Sequence, residues 1–271
     1  MNYREEIKAI AFDFDGTLIN FEYKSTDLTK EALTRLCGSR YKICVVSGRP
    51  CFLALKAFDE QFPGLQLDYI FGCNGSEVMD VRKNETKILY PLSEGEVRTI
   101  GELIDAPYLL KGIYDGETFL VNRMPDSQQI IDWMNARWLT PVLYDFSKND
   151  RPRSKVLILN NKEDRKREDA YLKGLDLSDF NAFYSSPFCF EIAPKGVSKA
   201  ISCQYLAKEL NCELSQILTF GDNDNDMDML RITTGVIMGN AREELKKEIP
   251  LHAGKVDEGG IFDFLSENRL I

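Results

Sequence analysis

Asp13 and Asp15, one residue apart, close the apolar run Ile10-Ala11-Phe12 and stand just ahead of the turn residue Gly16. A buried strand that ends this way delivers carboxylates to its C-terminal end, the edge at which open α/β sheets bind ligands. Asp13 precedes the turn, where a purely structural strand carries another Ile or Val. Carboxylates so placed suit nucleophilic and acid–base work. Three other segments offer complementary groups. The run Ile43-Cys44-Val45-Val46 leads into Ser47, Gly48 and Arg49, and a hydroxyl beside a backbone amide at a strand end is well suited to gripping a phosphate oxygen. The same residues also suit a plain strand-to-helix turn. Lys195 lies between the strand-like Glu191-Ile192-Ala193 and a helical pattern beginning near Val197; it counts only in company, because a lone lysine is normally a solvated charge. The run Ile217-Leu218-Thr219-Phe220 is followed by Asp222, Asp224, Asp226 and Asp228, alternating acids dense enough to demand a counter-charge such as a divalent cation. An EF-hand loop is excluded, because counting from Asp222 its required glycine and glutamate are replaced by Met227 and Thr233.

These groups need elements to position them, and the pattern supplies an α/β alternation. After the first strand, strands are expected at residues 41–46, 68–71 and 217–220, with helices over 25–36, 51–62, 197–210 and 224–230. Between about Pro91 and Phe188 the character changes. Helices are expected there over 93–104, 126–138 and 162–173, a hairpin over 108–121 around Asp115-Gly116, and strands at 156–160 and 182–184, with no pair of acids closing a strand. The expected organisation is a motif-bearing domain in two parts, residues 1–90 and 189–271, interrupted by a smaller α/β domain, residues 91–188. Its hinges are expected near 83–91 and 185–190.

Composition sets limits. At 271 residues the chain fits one large or two modest domains. With 43 acids against 34 bases and a net charge of -9, it has no overall attraction for nucleic acid. The start Met1-Asn2-Tyr3-Arg4-Glu5-Glu6 is polar, and no run approaches the ~18 apolar residues of a membrane span. The expectation is a cytoplasmic protein without a membrane partner, monomeric or homodimeric. Seven cysteines with no C-x-x-C pair are expected as reduced thiols packed as small hydrophobes. The single histidine, His252, cannot serve a mechanism that needs two.

In content and in order, the four chemical segments resemble the haloacid dehalogenase-like (HAD) superfamily of phosphohydrolases, and within it the Cof-type subgroup. The resemblance rests on Asp13-Phe14-Asp15-Gly16-Thr17, Ser47-Gly48-Arg49, Pro194-Lys195-Gly196-Val197-Ser198-Lys199, and Gly221-Asp222 followed by Asn225-Asp226. Gly72-Cys73-Asn74-Gly75-Ser76 is similar to the family's Asn-Gly-Ala element, and Met238-Gly239-Asn240-Ala241 to its late turn. Ser47 stands where many relatives have threonine, which keeps the hydroxyl. The match covers most of the chain, with residues 91–188 matched only in outline. It implies a Rossmann-like, doubly wound parallel-sheet HAD core of α/β class, with a C2-type cap of subclass IIB inserted as the smaller α/β domain.

The chemistry follows from the residues. A phosphomonoester dianion repels a carboxylate, so a cation must neutralise the approach, and Mg²⁺ with its preference for oxygen suits the task. Asp13 is the expected nucleophile, giving an aspartyl-phosphate, and Asp15 the acid that protonates the leaving oxygen and then activates water. Ser47, the Gly48 amide and Lys195 are expected to hold the transferring oxygens. The metal set is Asp13, Asp15 through its main-chain carbonyl, and Asp222. The resemblance adds Phe14 and Asn225 as phosphate- or substrate-binding positions and Asp226 as a support for Lys195 or the metal shell. It transfers no role to Asp224 or Asp228. The expected function is an Mg²⁺-dependent phosphatase acting on a small phosphorylated metabolite such as a sugar phosphate. Alternatives are a phosphotransferase or phosphomutase with the same site and, disfavoured because every catalytic position is filled, a non-catalytic metal- or ligand-binding scaffold. Tyr108, Tyr114, Asn122, Arg123 and Tyr144 are candidates for leaving-group contacts in the cap.

Overall fold

The structure, a computed structural model, describes residues 6–271. The chain divides into two compact units. One runs to Lys87 and resumes over Ser198–Ile271; the other is the intervening Ile88–Val197.

The first unit is built on an eight-stranded sheet of order β14-β13-β12-β1-β2-β3-β4-β5. Its strands are β1 (Ala9–Asp13), β2 (Lys42–Val46), β3 (Tyr69–Gly72), β4 (Glu77–Asp80), β5 (Glu85–Ile88), β12 (Ile217–Gly221), β13 (Thr234–Ile237) and β14 (Leu251–His252). From β14 to β3 every pairing is parallel, and β4 pairs with β3 in the opposite direction. Every residue of β1 and of β12 is buried, as expected of continuous apolar strands covered on both faces. Phe12 stacks on Phe220 at 5.1 Å between ring centroids, joining the two central strands in one core. Because β1 is flanked by β2 on one side and β12 on the other, the chain order reverses beside it. That is the switch point at which a crevice opens beyond the carboxyl ends of the strands.

The second unit carries a six-stranded sheet of order β10-β11-β9-β6-β7-β8. Its strands are β6 (Leu110–Asp115), β7 (Thr118–Val121), β8 (Thr140–Leu143), β9 (Val156–Leu159), β10 (Phe180–Ser186) and β11 (Cys189–Pro194). β6 and β7 form the expected hairpin, Asp115 opposite Thr118. The helix Glu94–Leu103 opens on a capping box, in which Ser93 accepts from the Glu96 amide and Glu96 accepts from the Ser93 amide. The expected hinge near 185–190 and the boundary after Phe188 are corrected here. β11 pairs with both β10 and β9, and its Phe190 and Ile192 belong to this unit's core, so the chain leaves only after Val197. A short strand β8 was also not expected, since Thr140-Pro141-Val142-Leu143 is too brief and too exposed to show a period.

The candidate leaving-group residues are all engaged within this unit. Arg123 donates to the Tyr108 carbonyl and pairs with Asp126, Asn122 accepts from the Lys111 amide, the Tyr144 hydroxyl bonds Asn149, and Tyr114 is packed against Phe119. Five of the seven cysteines are buried and all are free thiols, with burial pushing Cys203 and Cys189 up to about 12. Among the described residues no helix is long and apolar enough to cross a membrane.

Glu168, on the helix Arg165–Leu172, is wholly buried, and among the described residues neither carboxylate oxygen has a partner in good hydrogen-bond geometry. Burial pushes its carboxyl up from 4.5 to about 7, against the pull of Arg165 and with a further push from Asp169. A raised acid favours folding while it is protonated. This contribution is complete below about 4.5, declines as pH rises and is gone above about 7, a span worth up to about 3 kcal/mol. Glu168→Gln should therefore raise Tm at pH 8 by an amount that fades toward pH 5. A gain equal at both pH values would show that the carboxyl is not the titrating group.

Candidate active site

Asp13 is the last residue of β1 and is buried, while Asp15 lies beyond the strand and is exposed. The intervening chain turns at once, with Leu18 and Ile19 amides donating to the Phe14 carbonyl and the Gly16 amide to the Ile19 carbonyl. Asp222 follows the end of β12, and parallel pairing of β12 with β1 brings it to the same edge. Gly16 has φ +94, and a Cβ there would collide with the Asp222 carboxylate, so no other residue fits between the two loops. Asn240 fixes the Asp222 carboxylate from the far side. Its Nδ2 donates to Asp222 Oδ2 at 3.2 Å and to the Gly16 carbonyl at 2.9 Å, and its Oδ1 accepts from the Val256 amide.

The positive charge comes from Lys199. Its Nζ donates to Asp13 Oδ1 at 2.5 Å and to Asp226 Oδ1 at 2.6 Å, with all three residues buried. Asp226 turns its other oxygen back to accept from the Asp222 and Asn223 amides, each at 2.9 Å. The expectation that Lys195 supplies this charge is corrected. Lys195 is exposed, belongs to the Ile88–Val197 unit and donates to the Ser178 carbonyl.

The carboxyls of Asp13, Asp222 and Asp226 come within 4.8 Å of one another. Three carboxylates face one ammonium here. Burial, then the charge of Asp226, holds Asp13 well above the usual carboxylate range despite Lys199. Burial likewise pushes Asp222 up to about 7, with Asp226 adding to the shift. For Lys199 burial works against the ammonium, but the Asp13 and Asp226 carboxylates outweigh it and hold it above its ordinary value. Asp13 Oδ2 and Asp222 Oδ1 are buried without a hydrogen-bond partner among the described residues. Two orphaned carboxylate oxygens with an excess of negative charge fit a hard divalent cation. Both Asp226 oxygens are already spent, so the side-chain ligands on offer are Asp13 and Asp222.

The Asp15 carboxylate is not gathered with the three. It is held by Arg49, whose Nε and Nη2 donate to its two oxygens at 2.9 and 2.5 Å. Arg49 also lies over the Phe14 ring, 5.2 Å from its centroid, and over Tyr23 at 5.7 Å. The expectation for Phe14 narrows accordingly. Its ring is buried in the core and its carbonyl is committed to the turn, so only its amide remains to meet a substrate. Ser47, buried after β2, accepts from the Arg49 amide through its hydroxyl oxygen, which leaves the hydroxyl hydrogen to donate. Asn225 is exposed and donates to Asn74 Oδ1 at 3.3 Å, with Asn74 also set against Gly48. Asp224 pairs with Arg242 and Asp228 with Arg231 at the surface, away from any role in the cluster. Lys199, Arg49, Asn240 and Asn74 thus belong to the site without having been assigned to it. The signal was present, since all four lie inside the segments that carry the motifs.

Lys199→Met should cost about 3–5 kcal/mol of stability, because it leaves buried carboxylates without their ammonium, and should abolish turnover. Lys195→Ala removes one exposed hydrogen bond and should shift stability by less than about 0.5 kcal/mol. Chemical denaturation and a phosphate-release assay on both variants check this, and equal losses would reverse the assignment.

The chain matches the family of haloacid dehalogenase-like hydrolases over residues 10–265. It is 25% identical over 265 residues to the HMP-PP phosphatase of Yersinia pseudotuberculosis, covering 94% of this chain and 93% of that one. The crystal structure of a haloacid dehalogenase-like hydrolase from Bacteroides thetaiotaomicron superposes with a TM-score of 0.79 at 25% identity, covering 98% of this chain and all of the other. TM0651 from Thermotoga maritima, 20% identical, shares the fold with a TM-score of 0.83 over 96% of this chain and 97% of that one.

Proposed function

This chain belongs to the haloacid dehalogenase-like hydrolases and is a phosphatase of the Cof type, and from that premise we propose that it is an Mg²⁺-dependent phosphatase of small phosphorylated metabolites that works through an aspartyl-phosphate. The observation that carries the reading is the pair of orphaned, buried oxygens, Asp13 Oδ2 and Asp222 Oδ1, beside a lysine that already engages the other oxygen of Asp13. Asp13 and Asp222, with the Asp15 main-chain carbonyl, would hold Mg²⁺, which would supply the positive charge that lets a dianionic ester approach a carboxylate.

Lys199 fixes Asp13 by its Oδ1, so the nucleophile is presented in one orientation. An Asp13 oxygen attacks phosphorus, the bond from phosphorus to the ester oxygen breaks, and Asp15 gives its proton to that oxygen. In the second half Asp15 takes a proton from water, the water oxygen bonds phosphorus, and Asp13 is released with inorganic phosphate. Arg49 donates to both oxygens of the Asp15 carboxylate, so this pair must open before Asp15 carries the proton it transfers. The Ser47 hydroxyl, the Gly48 amide and Asn225 bind the non-bridging oxygens. The inserted unit suits the part of a cap that selects the leaving group, and the name HMP-PP phosphatase for a relative supports a small organic phosphate as the substrate class.

The test is phosphate release from a panel of metabolite phosphomonoesters. Chelation should abolish it and Mg²⁺ restore it, and Asp13→Asn should lower kcat/KM by about 10³-fold or more while leaving the fold intact. With an activated aryl phosphate, whose leaving group needs no proton, Asp15→Asn should accumulate phosphate on the peptide that contains Asp13 after acid quenching. Turnover by Asp13→Asn, or no trapped phosphate, would refute the covalent route.

A further inference from the structure

The turn after β3 adopts a left-handed backbone that Cys73 does not favour. Cys73, Asn74 and Gly75 have φ values of 51, 56 and 94 in succession. Two adjacent non-glycine residues in the left-handed region cost about 1–3 kcal/mol each and persist only where the surroundings impose them. Here the surroundings are the phosphate-gripping turn itself. The Cys73 amide donates to the Arg49 carbonyl at 2.8 Å and the Asn74 amide to the Ser47 carbonyl at 2.9 Å. On the other side a Cβ on Gly75 would lie 2.8 Å from the Ser198 carbonyl oxygen, so this turn is also pressed against the residue before Lys199. The strain has one evident product: it aims the Asn74 side chain. Asn74 Oδ1 accepts from Asn225 Nδ2 at 3.3 Å, and the same amide lies against Gly48, 3.4 Å from where its Cβ would be.

We infer that Asn74 is a positioning residue for the phosphate end of the site. By accepting one hydrogen of the Asn225 amide it fixes that side chain's rotamer, so that the exposed Asn225 is already oriented when a phosphate oxygen arrives. An exposed amide without such an acceptor samples several rotamers and loses that freedom on binding. This inference rests on the proposed phosphatase reading, and binding of inorganic phosphate can be measured without turnover.

Asn74→Gly is the informative variant, because glycine keeps the left-handed backbone without strain and removes only the amide. In the presence of Mg²⁺, calorimetric affinity for inorganic phosphate should fall about 10-fold in Asn74→Gly and by a similar factor in Asn225→Ala, with little further loss in the double variant. Tm of Asn74→Gly should stay at or above that of the wild type. Unchanged phosphate affinity in Asn74→Gly, or losses that multiply in the double variant, would overturn the inference whatever the turnover. A wild type that binds phosphate but hydrolyses no ester would sink the phosphatase reading instead, and the coupling of Asn74 to Asn225 would still be read from binding.

Discussion

One buried ammonium, Lys199 Nζ, is shared between Asp13 and Asp226, and the rest of the site is arranged around that contact. An ammonium out of water is tolerated only when its charge is matched and its hydrogens are used. Asp13 comes from the end of β1 and Asp226 from the loop after β12, so the lysine ties together the two strands whose parallel pairing forms the switch point. Asp226 passes the constraint on, because its second oxygen holds the amides of Asp222 and Asn223 and thereby sets where Asp222 emerges. Gly16 and Asn240 close the remaining freedom of Asp222 from the opposite side. The carboxylates of Asp13 and Asp222 are therefore held by a single connected network.

That network is deliberately unbalanced. Three carboxylates around one lysine leave negative charge that the protein does not neutralise, and burial makes the imbalance costly, as the raised Asp13 and Asp222 show. A purely structural ion pair would be closed, as Lys155 and Glu191 are at 2.8 Å in the other unit. An excess of buried charge at a strand edge, with two oxygens unsatisfied, instead lowers stability, a cost typical of functional sites.

Much of this was legible in the sequence, and what was not has physical reasons. The placement of Asp13, Asp15, Ser47 and Asp222 at or just beyond strand ends could be read because an apolar strand that breaks into polar residues marks its own end, and the α/β alternation follows from period and caps. Lys195 and Lys199 lie four apart in one segment, and nothing in residue type separates them. Tertiary packing does: Gly196 turns the chain at φ +80 beside an exposed Lys195, and the helix Ala200–Glu209 then begins with Lys199 buried at its cap. Since lysines are almost never fully buried without a partner, only knowledge of where Asp13 and Asp226 meet could have chosen between them. The second domain boundary failed for a related reason. The apolar run at Cys189–Pro194 reads as a strand of either unit, and only its ladder to β9 and β10 assigns it.

The two ends of the site are built by different means, which explains why one was easier to read. The charged end uses side-chain ion pairs, so its residues announce themselves as acids and bases. The other end uses main-chain carbonyls of Ser47 and Arg49 to hold the turn at Cys73 and Asn74, and backbone contacts leave little mark on residue type. What mark there is consists of Asn74 and Gly75, residues that tolerate the left-handed region, placed immediately after a strand. A motif of small and amide residues can thus encode a backbone conformation first and a side-chain role only through it.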